Sequence, residues 1–539
     1  MRKSFRYLAV GSLLLFGAAA CADLEIANQN APDAARSLAS AGDVESLIAG
    51  SFNTWFNGVN AYGGPGMFMS NAAFQHNAPW SNSGMEKYGR LPRISMDNNV
   101  AASSYNNFVR PWYRSYRAIS AVANGLAALE DPEIADELGA ADVLRITAFG
   151  KFNLGLSHAT LAMFYDRGFA VDETTDLNEE QEILDYNALM ERALGYFDEA
   201  ISLSSGASFT LPLGWMQITL SGPELARVAH SYKARFRAQV ARTESERAAV
   251  NWSAVVADVD AGITEDLVPF YDDYNGWSLD VLGYGSYYGW SQNAYFMYGM
   301  ADQSGDVDRW HDLGLTEKSY QFADGEPVLI VTPDLRFPQG TTVEEQRAAK
   351  GTKFEITKSS HLGNTWKKPE RGVWRWSWYK TWKGREYWGV DGYDLEMNQK
   401  EIDHTEMRLL KAEALFRSGD KGGAALIINE TRVEAGLNAT DAGGTNTSCV
   451  PHLPNGPCGD LWEMLKWEKR METQFVGLAG NPWYFDGRGW GDLWKDTPLQ
   501  FPVPCQELQV LQQLPCETFG GPGGVMGAPL STYAFNGEG

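Results

Sequence analysis

Val44, Leu47, Ile48, Phe52, Trp55 and Phe56 recur at threes and fours. That is the spacing of one helix face, and it predicts a helix over 43–56 with Asp43 as its N-cap. The same period runs through Tyr105, Phe108, Val109, Trp112, Tyr116, Ile119, Ala123 and Leu126, and again through Leu144, Ala148, Phe152, Leu156 and Ala159. Further helices are expected over 187–203, 223–241, 252–263, 401–417, 422–435 and 461–475. Most run two to four turns, and several pair as helix–turn–helix.

Residues 409–426 combine small and apolar positions with a Gly419-Asp420 turn and alanines in the next helix, like a tetratricopeptide unit. A strict 34-residue period is absent, so degenerate helical pairs are expected. Periodicity fails over 57–99, where Gly, Pro, Asn and Ser surround Tyr62, Phe68, Phe74, Trp80 and Tyr88. It fails again over 271–396, apart from strand-like runs at 327–332 and 353–358. Long irregular segments inside a compact domain usually carry function. The expected fold is mainly α: one domain over 43–539, a tetratricopeptide-like helical scaffold at about 101–265 and 400–480. An irregular ligand-binding portion is expected at about 57–100 and 271–396.

Composition narrows the function. Lys and Arg number 45 against 68 Asp and Glu, a net charge of −23 over 539 residues. So acidic a surface argues against a nucleic-acid partner. Hydrophobic residues at 44% and charged residues at 21% exclude wholesale disorder. Arg2, Lys3 and Arg6 precede an apolar run over 7–16 that is too short to span a bilayer as a helix. Ala18-Ala19-Ala20-Cys21 then resembles the lipobox of bacterial lipoproteins, with Ala18 where Leu is usual. Residues 1–20 read as a lipoprotein signal peptide, Cys21 as the lipidated residue and 21–42 as a tether. Ordinary secretory cleavage after Ala20 is the other reading.

Export places Cys449, Cys458, Cys505 and Cys516 in an oxidising compartment, where an even number suits two disulfides. Three connectivities are open; the local one pairs Cys449 with Cys458 and Cys505 with Cys516. No CxxC or paired His supports zinc, and the seven His show no metal spacing. No Gly-x-Ser-x-Gly elbow and no P-loop occurs. Residues 302–308 lack the Glu of a calcium loop and read as a solvated turn. No catalytic group, metal or cofactor is therefore assigned.

The 19 Trp need a reason. Aromatic rings in irregular segments suit sugars, whose apolar C–H faces stack on Trp and Tyr while Asn, Asp and Arg bond hydroxyls. Two clusters qualify: Asn77, Trp80, Tyr88 and Arg90, then Tyr284, Tyr287, Tyr288 and Trp290 with Tyr295. A third is Trp374, Trp376, Trp378, Trp382 and Trp388, with Arg375, Lys380, Lys383 and Arg385 between. It reads either as an anion-binding face or as an aromatic–cation structural face. Phe108, Trp112 and Tyr116 are expected in the core. Trp483, Tyr484, Phe485 and Trp490 are expected to be structural.

Several segments together resemble the SusD/RagB family of outer-membrane nutrient-binding lipoproteins. They are Asn30-Ala31-Pro32-Asp33 leading to Asp43-Val44-Glu45-Ser46-Leu47, Trp112-Tyr113-Arg114-Ser115-Tyr116-Arg117-Ala118-Ile119 with Ala123-Asn124, and Leu409-Leu410-Lys411-Ala412-Glu413-Ala414. The most specific block is C-terminal: Trp467-Glu468-Lys469-Arg470 with Glu472, Arg488-Gly489-Trp490-Gly491-Asp492-Leu493-Trp494, and Phe501-Pro502-Val503-Pro504 with Glu507-Leu508. The tail departs from the family, with Cys505, Cys516 and a Gly-rich end. The resemblance implies a lipid-anchored outer-membrane protein facing the cell exterior. It would bind an oligosaccharide as a lid on a SusC-like TonB-dependent barrel transporter, using loops in the first two aromatic portions. A secreted glycan-active hydrolase, or a peptide binder of the same architecture, are the rival readings.

Overall fold

A computed structural model describes residues 38, 40–61, 63–78, 85–102, 104–279, 291–357, 377–383, 395–477, 482–513 and 515–521. The first helix, α1 (Ala41–Asn60), buries Val44, Ile48, Phe52, Trp55, Phe56 and Val59. Its cap is Ser40, not Asp43: the Ser40 hydroxyl accepts the Asp43 N–H at 3.2 Å and donates to the Asp43 carboxylate at 2.6 Å. Two short helices follow, α2 (Pro65–Ala72) and α3 (Met85–Gly89), inside the stretch expected to be irregular. Every residue of α2 is buried, so it has no polar face and no amphipathic period.

The scaffold continues with α4 (Asn106–Ala128), α5 (Pro132–Leu138) and α6 (Ala140–Phe164). Helix α6 is buried on all sides from Ala148 to Phe164 and forms the centre of the bundle. Helices α1 and α4 approach closely at Gly125, where an added Cβ would lie 2.5 Å from the Ile48 side chain. The Trp55 indole donates to the Thr160 hydroxyl at 2.8 Å, tying α1 to α6. Trp112 is 2% exposed, as expected of a core residue.

A small antiparallel ribbon, β1 (Arg167–Phe169) with β2 (Ile183–Asp185), leads to α7 (Tyr186–Ser204), capped by Asp185. Another ribbon, β3 (Thr210–Leu211) with β4 (Leu220–Ser221), flanks α8 (Leu213–Met216). Then come α9 (Gly222–Gln239), which opens on a Ser221/Glu224 capping box, α10 (Glu244–Ala249) and α11 (Trp252–Asp260).

The long excursion begins at β5 (Phe270–Asp272) and holds α12 (Tyr295–Tyr298), α13 (Asp306–His311), α14 (Val343–Ala348), β6 (Phe354–Ile356) and β7 (Tyr379–Thr381). It closes at β8 (Glu396–Asn398), which pairs antiparallel with β5, while β6 pairs with β7. The run 327–332 is not a strand. It makes one isolated bridge, Pro327 to Gln321, and beyond it the Ile330 N–H donates to the Tyr379 hydroxyl and the Val331 N–H to Asp302. Asp302 is likewise no solvated turn: 3% exposed, it accepts from Ser304, Gly305, Val307 and Val331.

The helical scaffold resumes with α15 (His404–Arg417) and α16 (Lys421–Glu434), a helix–turn–helix pair. It ends with α17 (Leu461–Glu472), α18 (Pro482–Trp490) and α19 (Cys505–Val510). Helix α15 packs against α11, joining the two helical parts. Disulfides link Cys449 to Cys458 and Cys505 to Cys516, the local pairing.

The core is unusually ionic. Among the largest fully buried side chains are Arg235, Arg242, Arg247, Arg336, Arg432 and Arg488. Arg247 holds Glu413 at 2.6 Å and Asp486 at 3.0 Å, and Lys469 reaches Asp486 at 2.9 Å. Arg336 bridges Asp334 at 2.7 Å, Glu468 at 2.8 Å and Glu472 at 3.1 Å. Arg488 finds carbonyls instead: Met163 and Leu499 at 2.8 Å and Gln239 at 2.9 Å. Burial, then the Arg242 guanidinium, push Arg488 down to about 9. Removing one partner from a buried charge is costly, so each of these ties distant segments in one geometry.

Candidate functional site

The two irregular portions meet around Phe74 and Phe296, whose ring centroids lie 4.7 Å apart. Asn77 and Gln292 form an isolated antiparallel bridge. The Asn77 N–H donates to the Gln292 carbonyl at 2.7 Å, and the Gln292 N–H to the Asn77 carbonyl at 3.1 Å. Trp80 is three residues beyond Asn77 in sequence, and Trp290 two before Gln292.

Both sides of the bridge are braced. On one side Asn71 of α2 accepts the Ala78 N–H at 2.9 Å and donates to His76 Nε2 at 3.3 Å. On the other, the Thr357 hydroxyl donates to Gln292 Oε1 at 2.6 Å. The Ser377 hydroxyl donates to the Asn293 carbonyl at 2.5 Å, and the Asn293 N–H reaches the Tyr379 carbonyl at 2.9 Å. The helix and the β6–β7 ribbon thus fix the two segments as one unit.

Polar atoms concentrate here. Gln75 Nε2, His76 Nδ1, Gln292 Nε2 and Asn293 Nδ2 are all buried with no hydrogen-bond partner among the described residues. Burial pushes His76 down to about 3, so its imidazole is neutral at pH 7. An unpaired buried donor costs about 1–3 kcal/mol, so a cluster of them marks a place where stability has been conceded. The sequence reading missed Gln75, Gln292 and Asn293. The available signal was the polar triplet Ser291-Gln292-Asn293 at the end of an aromatic run.

Of the residues expected to bind ligand, Asn77 sits in the bridge. Arg90 is partly buried and pairs with Glu86 at 3.1 Å. Tyr88 is 4% exposed and packs edge-on against Phe68 with ring centroids 4.2 Å apart, a core position. Tyr295 is also core, its hydroxyl donating to the Val328 carbonyl at 2.6 Å. Trp80, Tyr284, Tyr287, Tyr288 and Trp290 lie outside the described residues, as do Cys21, Trp374, Trp376, Trp388, Arg375 and Arg385.

In the third cluster Trp378 donates to the Tyr320 carbonyl at 2.7 Å and is a structural residue. Trp382 is exposed, with its indole N–H on the Gly351 carbonyl at 3.2 Å. Trp483, Tyr484, Phe485 and Trp490 are all buried, as expected. Among the described residues no group of three or more His, Cys, Asp and Glu could hold a metal ion. Nor is any described helix long and apolar enough to cross a membrane.

A helical-pair scaffold carrying a long irregular excursion, closed by short ribbons and a buried ionic C-terminal block, is the SusD-like fold. Solved structures sharing it include a SusD superfamily protein from Bacteroides vulgatus, 15% identical at a TM-score of 0.51, covering 85% of this chain and 89% of that one. A SusD-like carbohydrate-binding protein from Bacteroides fragilis is 13% identical at 0.51, covering 88% and 91%. Surface glycan-binding protein A from Bacteroides uniformis is 10% identical at 0.52, covering 88% and 98%. No family model and no curated protein matches the sequence.

Proposed function

We propose that this chain is a cell-surface lipoprotein, anchored at Cys21, that binds an oligosaccharide and delivers it to a SusC-like TonB-dependent transporter in the outer membrane. The observation that carries the reading is the Asn77–Gln292 bridge, which brings together the two aromatic-rich portions of the chain. The names of two similar structures, a carbohydrate-binding and a glycan-binding protein, support it. Sugar rings would stack on Trp80 and on the 284–290 aromatics, with the polar groups around the bridge fixing orientation. Binding without turnover is expected, because delivery needs release of an intact ligand.

The test is native affinity electrophoresis through gels containing individual polysaccharides, with a reducing-sugar assay alongside. Retardation without release of reducing sugar is the expected result. Trp80→Ala and Trp290→Ala should each weaken retention about tenfold or more at an unchanged Tm. Release of reducing ends would instead favour a hydrolase. Wild-type retention by both variants would remove the aromatic platform.

A further inference from the structure

The described part of the third aromatic cluster holds a cation with no carboxylate of its own among the described residues. Lys383 Nζ donates to the Gln474 carbonyl at 2.6 Å and forms no ion pair among the described residues. The carboxylates that face it are engaged elsewhere: Glu472 pairs with Lys353 and, at 3.1 Å, Arg336, while Asp403 pairs with Lys400 at 2.9 Å. Burial, then the Lys353 ammonium, push Lys383 down to about 8. A carbonyl satisfies one of the ammonium's three donors but leaves its charge uncompensated.

Beside it, Trp382 is 41% exposed, the one described Trp among the exposed large hydrophobics. This pair adjoins the candidate site. Gln474, which holds Lys383, precedes Phe475, whose ring lies 5.9 Å from that of His76, next to the bridge. The two residues are consecutive, so an exposed indole and an ammonium held by a carbonyl lie one residue apart on the chain.

Building on the oligosaccharide reading above, we propose that Trp382 and Lys383 form a subsite for an acidic sugar, one bearing a carboxylate or a sulfate. The ammonium takes the anionic group and the indole takes the apolar face of the ring. The whole chain, at a net charge of −23, repels polyanions, so an acidic sugar would be held only at a local cation.

The full-length protein is run in affinity gels containing alginate (carboxylate), dextran sulfate (sulfate), or dextran and xylan as neutral controls. Stronger retardation by alginate or dextran sulfate than by dextran is expected, and which of the two acts identifies the anion. Lys383→Gln should weaken the acidic-polymer retention about tenfold or more. Lys383→Arg should keep it, and Trp382→Ala should weaken it at an unchanged Tm. If Lys383→Gln fails to fold, Trp382→Ala decides. Equal retention of Lys383→Gln and wild type overturns the subsite, as does an unaffected Trp382→Ala. Retention by xylan or dextran with none by either acidic polymer overturns the subsite but keeps the oligosaccharide reading. No retention by any of the four overturns both.

Discussion

Glu413→Gln keeps the shape of a fully buried side chain and removes its charge. In the wild type the carboxylate takes two hydrogen bonds from Arg247, at 2.9 and 2.6 Å, one from Arg417 at 2.9 Å and one from the Trp490 indole at 3.2 Å. Burial alone would raise Glu413. Arg247, Lys469 and Arg417 together outweigh it and bring the carboxyl from 4.5 to about 2. A depressed carboxyl stabilises the fold above its unfolded value, and that contribution disappears as pH falls through the folded value. A shift of that size corresponds to about 3 kcal/mol at pH 7 and well under 1 kcal/mol at pH 2. An independent route gives a similar figure, since breaking one side of a buried pair costs about 3–5 kcal/mol. Urea denaturation followed by Trp fluorescence should therefore show Glu413→Gln destabilised by about 3 kcal/mol at pH 7. The gap between variant and wild type should close progressively between pH 5 and pH 2. A gap below 1 kcal/mol at pH 7, or one that does not change with pH, would refute the assignment of Glu413 as an ionised, charge-paired core residue.

Trp112→Ala should cost about 3–5 kcal/mol in the same denaturation assay, because the ring is buried against Tyr116 and Tyr165; a cost under 1 kcal/mol would contradict its placement. Replacing Cys449 and Cys458 together by Ser should cost about 2–3 kcal/mol by opening a short loop, and unreduced peptide mapping should recover the pair Cys449–Cys458. Free thiols at either position would exclude the link. Cys21→Ser should leave the protein soluble or unprocessed on membrane fractionation, and unchanged membrane association would count against lipidation.

The helices that sequence revealed are those with one wet face. Helix α1 runs over 41–60 against a predicted 43–56 because the period of Val44, Ile48, Phe52 and Trp55 is set by burial on one side only. Helix α2 was invisible for the opposite reason: buried on every side, it gives apolar and small residues no period. The run 327–332 read as a strand from its Val and Ile content, yet the Ile330 and Val331 N–H groups are taken by Tyr379 and Asp302, partners that local pattern cannot reveal. The aromatic excess pointed to ligand-binding segments, but exposure is a tertiary property. Tyr88 belongs to the same irregular segment as Trp80 and packs against Phe68 all the same.

Buried charge was the least legible feature, and it explains the most specific motif. Arg336 meets Glu468 across 132 residues of sequence, and Arg247 meets Glu413 across 166. In a chain with 68 acids no such pair can be selected by composition or spacing. The block Trp467-Glu468-Lys469-Arg470, with Arg488 and Asp492, nevertheless carried most of the resemblance. The structure supplies a physical reason. Glu468 is held by Arg336, Lys469 by Asp486, and Arg470 with Lys466 by Asp492, while Arg488 caps carbonyls of three separate segments. Substituting one member leaves its partner charged and buried, which is far more costly than trimming an exposed loop residue. Such a block resists change while the loops it supports are free to vary. Its recognition therefore identifies the scaffold, and the ligand has to be read from the loops.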